Sequence, residues 1–498
     1  MRGADLSRSS PLFGGPFGRI FRALPPADFG PDDASSLAAL QTLADQMISK
    51  RDPKEPKDGP DDEESGIPAA YTYFGQFIDH DLTFDPASSL QRQNDPDALE
   101  DFRTPRFDLD NVYGRGPEDQ PYLYDRGRTF LLGRQLTGAA TNPAARDLPR
   151  NQVADPLERR AIIGDPRNDE NVIVSQLQGL LLRFHNKIAA SHPDWPFTQV
   201  QREVRFHYQW AVLNDFLPAV VSAPVLKQVL PHLAGGSDVR SNRPNLEFYH
   251  WERHPYMPLE FSAAAYRFGH SMVRPGYRLS ETVGPLSIFG ARPNEALTGF
   301  REFPSNWAID WNLFIDLAPR DPDDKTRTQL AYKIDTSLVN PLGNLPASVA
   351  ANPSVLALRN LQRGWRMRLP AGQTVARAMG LKPLEDDEIV IGKFTGDSAD
   401  VVGTIDEIAP AFADNCPLWT YVLAETVQTE IAIKTTKGEK RIKSRKLGPV
   451  GGRIVAETFV GLLLGDSSSY LAQDPLWRPS LAVHGQFGLR ELIGAALS

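Results

Sequence analysis

Gly75-Gln76-Phe77-Ile78-Asp79-His80-Asp81 places an amide, two carboxylates and an imidazole in an apolar, aromatic stretch that includes Tyr71, Tyr73, Phe74 and Phe77. Polar groups are costly to bury without partners, so four of them in such a run point to a ligand, a metal or a reaction. On a helix, Gln76, Asp79 and His80 share one face through their spacings of three and four. Asp81 turns about 100° away from His80. One helix would thus serve two sites.

Three further clusters carry potential chemistry. His270 lies in Ala265-Tyr266-Arg267-Phe268-Gly269-His270-Ser271-Met272, with Arg267 three residues before it on the same helical face. Gly269 lets something flat and bulky approach the backbone beside the imidazole. Gly164-Asp165-Pro166-Arg167-Asn168-Asp169-Glu170-Asn171 sets Arg167 and Glu170 three apart. Taken alone, this run also reads as a helix start with acids near the positive end of the dipole. In Thr104-Pro105-Arg106-Phe107-Asp108-Leu109-Asp110 the side chains of Thr104, Asp108 and Asp110 fall on one parity. An extended loop of that spacing can aim alternate oxygens at one hard cation, with the Arg106 carbonyl filling the gap and Asp81 adding a carboxylate. The run holds no Cys or His, which disfavours zinc. Without a cation it reads as an Asx-rich turn.

These residues need helices to hold them. Leu177, Leu180, Leu181, Phe184 and Ile188 recur at helical steps and predict a helix from Ser175 to Ser191. A second is expected from Thr198 to Leu217, ended by Pro218. Residues 418–433 and 453–465 also read as helices. Strand-like alternation is confined to VIGKFTG and VVGTI. The expected fold is mainly α, a single large helical domain with long irregular loops, as 42 prolines in 498 residues imply. Residues 1–66 read as a partly disordered arm or linker, because RDPKEPKDGPDDEESG is charged and proline-rich. The body then spans 67–498. The basic run 434–446 reads as a solvated loop or as a docking patch for an anionic surface.

A formal net charge of −8 argues against nucleic acid as the main partner. One cysteine, Cys416, excludes an internal disulfide and reads as a small buried residue. No run of about 18 apolar residues predicts a transmembrane helix. The N-terminus lacks an apolar signal core, so a cytoplasmic location is expected, with export without a cleaved signal as the alternative. Phe13, Phe17 and Phe21 with Arg19 and Arg22 could touch a membrane, but the glycines and prolines among them disfavour an amphipathic helix. Nothing in the sequence fixes an oligomeric state.

Together and in this order, the four clusters resemble the peroxidase–cyclooxygenase superfamily, the animal haem peroxidases, in its bacterial myeloperoxidase-like branch. The resemblance covers most of residues 67–470 and includes Asn360-Leu361-Gln362-Arg363 and the 447–455 segment. It implies a haem b peroxidase that reduces hydrogen peroxide through compound I. Small organic donors, or bromide, iodide or thiocyanate, would then be oxidised, as in a response to oxidative stress. His80 resembles the distal histidine, Arg167 the distal arginine and Gln76 the amide that orients distal water or a halide. His270 resembles the proximal iron ligand, Asn360 the asparagine that holds it, and Arg363 an arginine near a propionate. Arg267 is carried to the cofactor with His270. Asp79 and Glu170 match the carboxylates that form haem esters in the mammalian enzymes. Asp81, Thr104, the Arg106 carbonyl, Asp108 and Asp110 match the family's calcium site.

Departures bear on chemistry. Asn171 stands where the myeloperoxidase-like pattern has methionine, so no sulfonium link can form there. Gly364-Trp365-Arg366-Met367-Arg368 lacks the Arg-Asp-His run of the animal enzymes. A fatty-acid dioxygenase of the same fold is the first alternative. It needs a tyrosine three residues before the proximal histidine, where this chain has Arg267; Tyr266 is one position off, and Tyr249-His250-Trp251 lies too early and reads as packing. A non-catalytic calcium- or haem-binding adhesion protein is the second.

Overall fold

A computed structural model describes residues 17–50, 52, 61–83, 103–235, 238–252, 255–290, 292–347, 349–350, 352–393 and 401–498. Helices dominate, and the strands among the described residues occur only as pairs. In chain order, α1 (Asp33–Met47) precedes β1 (Glu64–Pro68) and α2 (Ala70–Leu82). A long irregular segment leads to α3 (Val172–Ser191) and α4 (Phe197–Ala211). β2 (Leu330–Tyr332) pairs antiparallel with β1, and α5 (Leu356–Arg366) follows. β3 (Val390–Gly392) and β4 (Val402–Thr404) form a second antiparallel pair. Then come α6 (Leu418–Ala424), β5 (Val427–Thr435), β6 (Gly438–Lys446), α7 (Pro449–Gly465) and α8 (Leu489–Leu497). The predicted mainly α fold is what the chain adopts. The predicted VIGKFTG and VVGTI strands supply β3 and β4; residues 394–400 lie outside the described residues.

α3 and α7 are buried almost all round and form the centre of one continuous core. α3 starts where Asn171 caps it, its Oδ1 accepting from the N–H groups of Ile173 and Val174. Four residues earlier than predicted, α7 opens at Pro449, a residue suited to the first helical turn. Its Gly461 lies flat against the ring of Tyr249, which is fully buried, so Tyr249 serves packing while His250 is exposed.

Four expectations are corrected. Residues 33–47 are not part of a loose arm: α1 buries Leu40, Leu43, Ala44 and Met47 in the core, capped by Asp32. The body thus starts before residue 67, β1 beginning at Glu64. Residues 1–16, 51 and 53–60, including Phe13, lie outside the described residues. Phe21 is buried, and Arg19 donates to the carbonyl of Met367 at 2.8 Å, so both face protein. The helix expected over 418–433 stops at Ala424. β5 and β6, nine residues each, then form a hairpin in which Ile431 pairs with Ile442 and Thr429 with Ser444. Its β-branched residues at alternate positions favour a strand, and Gly438 at φ 109° closes the two-residue turn. The basic run 434–446 is therefore the tip and second strand of this hairpin. Pro218 does not end the helix before it: α4 passes into one π turn over Val212–Phe216 and an α turn over Leu217–Val220. The widened turn accommodates the missing Pro218 N–H. Finally, His270 sits on a 3₁₀ helix, Ala265–His270, not an α-helix. Residues three apart eclipse on that helix, so Arg267 stays beside His270.

Candidate functional site

α2 presents Gln76 and His80 toward the segment that precedes α3. His80 is buried, and its Nδ1 lies 2.7 Å from Asn168 Oδ1. Asn168 donates to Gln178 Oε1 at 2.9 Å, so its oxygen faces the ring and His80 Nδ1 carries the proton. The lone pair of Nε2 then faces the pocket, where Glu170 Oε1 lies 3.7 Å away. Burial, reinforced by the Arg167 charge, lowers the His80 pKa to about 4. The imidazole is a neutral base near pH 7. Gln76 donates to Glu170 and accepts from Asn171 at 3.1 Å. Burial raises the Glu170 carboxyl to about 7, and Asp79 adds to the rise.

Arg167 is anchored by its neighbour. Its Nη2 donates to Asp165 Oδ2 at 2.7 Å and to the His80 carbonyl at 3.0 Å, and Nε reaches both Asp165 oxygens at 3.2 Å. Burial would raise the Asp165 carboxyl, but hydrogen bonds and charge from Arg167 hold it well below the usual carboxylate range.

His270 belongs to a second wall. Asn360 on α5 sets its Nδ2 2.8 Å from His270 Nδ1, and its Oδ1 accepts from Arg267 at 3.1 Å. Burial, then the Arg267 charge, lowers the His270 pKa to about 3. The ring is neutral, and Nε2 makes no hydrogen bond among the described residues. Tyr266 ties this wall to α2 by donating to the Gly75 carbonyl at 3.1 Å. Asp79 acts electrostatically on both walls, on Glu170 and on Arg267. Arg363 lies on the same helix as Asn360, three residues on, and is half-buried.

On its other side α2 contributes to an acidic cradle. Carboxylate oxygens of Asp81, Asp108 and Asp110 lie within 4.8 Å of one another. Asp81 is fully buried; the Tyr208 hydroxyl and the Leu109 N–H are near enough to favour its charge, but neither of its oxygens makes a hydrogen bond of normal geometry among the described residues. Burial and the charges of Asp108 and Asp110 push its pKa well up. Thr104 donates to Asp108 at 2.7 Å, and the Arg106 N–H donates to the Thr104 carbonyl at 2.8 Å. The buried Arg106 guanidinium turns away toward Asp466, 3.9 Å off. Leu109 takes a left-handed conformation, φ 59°, to bring Asp108 and Asp110 together.

Residues 101–291 match the family model for animal haem peroxidase. Over that segment the chain is similar to the animal haem peroxidase family. Dual oxidase of Drosophila melanogaster is 27% identical over 240 residues, 45% of this chain and 14% of that protein. Peroxidasin of the same fly is 24% identical over 324 residues, 62% of this chain and 18% of that protein. Human myeloperoxidase is 25% identical over 243 residues, 45% and 29% of the two chains. This chain thus spans less than a third of each of these relatives. In structure, Peroxidase A from Dictyostelium discoideum aligns with TM-score 0.63 at 17% identity, covering 97% of this chain and 93% of that one. Fatty acid alpha-dioxygenase of Oryza sativa aligns with TM-score 0.51 at 13% identity, covering 97% and 79%.

The two walls have features that suit a flat cofactor. A Cβ built on Gly269, beside His270, would meet nothing within 4 Å, so the space there is open. Two neutral imidazoles, His80 buried and His270 half-buried, and two half-buried arginines, Arg267 and Arg363, belong to the two walls. Sequence reasoning had already grouped His80 with Gln76 and Asp79, and His270 with Arg267. It missed Asn168, Asp165 and Arg103 as partners. The first two lie inside the 164–171 run singled out by its polarity, but nothing in the spacing tells which residues bond across 88 positions of chain.

Proposed function

We propose that this chain is a haem peroxidase that reduces hydrogen peroxide and oxidises small organic donors or halides. The carrying observation is the pair of neutral histidines on separate walls, His80 buried and His270 half-buried, each with Nδ1 engaged by an asparagine and with Nε2 left without a hydrogen bond among the described residues. Haem b held through His270 supplies redox chemistry at iron. Arg267 and Arg363 are suited to its carboxylates.

The chain's own residues do the rest. His80 Nε2 accepts a proton from the peroxide and returns it to the departing oxygen. Asn168 keeps the ring in the tautomer this requires. Arg167 cannot be deprotonated and meets the negative charge that develops on the leaving oxygen. Gln76, held by Asn171 and Glu170, is placed to orient water or a halide. Asn171 is already committed to Gln76 and to the start of α3, which leaves no sulfur for a third cofactor link. Asp79 and Glu170 are the carboxylates available for ester links.

A divalent cation, calcium by its all-oxygen donors, is suited to the cradle of Asp81, Asp108 and Asp110 with Thr104 and the Arg106 carbonyl. The unpartnered buried oxygens of Asp81 support this. The cation would fix the end of α2 one residue from His80.

The likeness to fatty acid alpha-dioxygenases concerns the fold. Tyr266 is stacked on Phe261 and its hydroxyl is spent on the Gly75 carbonyl, while Arg267 holds the position three residues before His270. The test is stopped-flow absorbance of haem-loaded protein mixed with peroxide and then with bromide or guaiacol. A fast Soret change that the donors reverse is expected, and His80→Ala should slow its formation about 10²–10⁴-fold with haem retained. Oxygen uptake with linoleate instead would overturn the peroxidase reading.

A further inference from the structure

The cradle and Arg167 are joined by the side chains of Arg103 and Asp165. Arg103 sits between them: its Nη1 lies 3.2 Å from Asp110 Oδ1 and its Nη2 donates to Asp165 Oδ2 at 2.5 Å. Asp165, fully buried, passes the link on through its three bonds to the Arg167 side chain, and Arg167 bonds the backbone of His80. Backbone packing runs in parallel. A Cβ on Gly164 would lie 2.6 Å from the Asn111 carbonyl and 2.8 Å from that of Asp110, so the Arg167 segment rests directly on the cradle loop. Asn111 in turn donates to the Phe77 carbonyl of α2 at 3.2 Å.

We propose that Arg103 and Asp165 are positioning residues that couple occupancy of the cradle by a divalent cation to the placement of Arg167. The inference rests on the reading of the cradle as a cation site. Asp110 is shared: one of its carboxylate oxygens faces Arg103 and the carboxylate also faces Asp81 and Asp108. A cation that draws Asp110 into its coordination fixes the acid on which Arg103 rests. Arg103 then holds Asp165, and Asp165 presents two oxygens to the guanidinium of Arg167 in a fixed direction. Without the cation the three carboxylates repel, Asp110 is free to move, and the chain of charges loses its anchor. Because two arginines and two aspartates alternate, removal of one member leaves a buried charge unpaired beside the site. Coupling of this kind is reciprocal: whatever fixes Arg167 tightens the cation.

The test uses the full chain, wild type and Arg103→Met, with Arg103→Lys as the conservative variant. Hydrogen exchange of residues 164–170 is followed in calcium and in EGTA, whatever the haem content. Calcium is expected to slow exchange there in wild type, not in Arg103→Met, and in part in Arg103→Lys. On haem-loaded protein, cyanide affinity read from the Soret band should fall about tenfold on chelation of wild type, and Arg103→Met should be weak in both states. Equal calcium protection in wild type and Arg103→Met overturns the coupling. A calcium-independent melting temperature overturns the cation reading and the coupling with it. Absence of a Soret band overturns the haem reading alone, since hydrogen exchange still reports the coupling.

Discussion

Replacing Asp81 with Asn should stabilise the protein in a chelator and weaken it in calcium. At the 4.8 Å that bounds the cradle's carboxylate oxygens, two unit charges repel by about 3.5 kcal/mol at an effective dielectric constant of about 20. Asp81 faces two such neighbours, so full ionisation would cost it about 7 kcal/mol. Protonation is the cheaper escape. Keeping a carboxyl of ordinary pKa about 3.9 neutral at pH 7 costs about 4.2 kcal/mol, which sets the ceiling on the penalty. Asparagine removes that penalty but buries an amide, which costs about 1–3 kcal/mol where it finds no partner. The chelated variant should therefore exceed chelated wild type by about 1–3 kcal/mol. Calcium at a thousand times its Kd stabilises wild type by about 4 kcal/mol. The variant, short of one carboxylate ligand, is expected to gain less than about 1 kcal/mol, so the order of stabilities inverts. Thermal unfolding of both proteins in EGTA and in calcium measures this. Identical melting temperatures for wild type in the two media, or an equal loss for the variant in both, would refute the reasoning.

Asn360→Ala should lower haem affinity by about 10–100-fold, the usual effect of losing a group that orients a metal ligand. His270→Ala should lower it further; titration with haem followed at the Soret band distinguishes them, and an unchanged band in His270→Ala would remove His270 from the site. If Asp79 and Glu170 form esters, acidified butanone should leave haem on peroxide-treated wild type and extract it from the Asp79→Ala, Glu170→Ala double variant; complete extraction from wild type rules the links out. His185, caged by Tyr113, Phe130 and Phe197, has its pKa lowered to about 4 by burial. The unfolded chain binds that proton near pH 6.5, so its contribution is complete above pH 6.5 and is lost as pH falls toward 4, by about 3 kcal/mol in all. Denaturant titrations across that range should show a shallower loss for His185→Gln, and an unchanged slope would assign the loss to other groups.

The sequence was most readable where the chemistry follows helical period. Gln76 and His80 needed only the spacing on α2 to be placed together, and the parity of Asp108 and Asp110 led to the cradle although the loop reaches it through a left-handed Leu109. It was least readable where partners lie far apart in the chain. Asn168 is identified by a bond to His80, and Arg103 by bonds to two different segments; neither has a periodic signature. The misread 418–433 segment shows a second cause. α6 and β5 adjoin with only two residues between them, and a window spanning both averages a helical period with an alternating one. The N-terminal charge run masked α1 in the same way, because a polar linker beside it lowered the apparent hydrophobicity of the whole arm.

The two histidines also differ in a way that no residue pattern contains. Asn168 offers its oxygen to His80, which fixes the proton on Nδ1 and leaves Nε2 basic, the state a proton acceptor needs. Asn360 offers its nitrogen to His270, because its oxygen is held by Arg267, a group that can only donate. That arrangement places the His270 proton on Nε2. Binding a metal through Nε2 needs the opposite tautomer, with Asn360 turned so that its oxygen accepts from Nδ1. The turn requires Arg267 to give up the Asn360 oxygen, and a half-buried guanidinium gives up an acceptor only for another. A cofactor that brings carboxylates as well as iron would satisfy both demands at once: its carboxylate would take Arg267 and His270 would be free to hold the iron. The spacing of three between Arg267 and His270, eclipsed on a 3₁₀ helix, would let one ligand act on both.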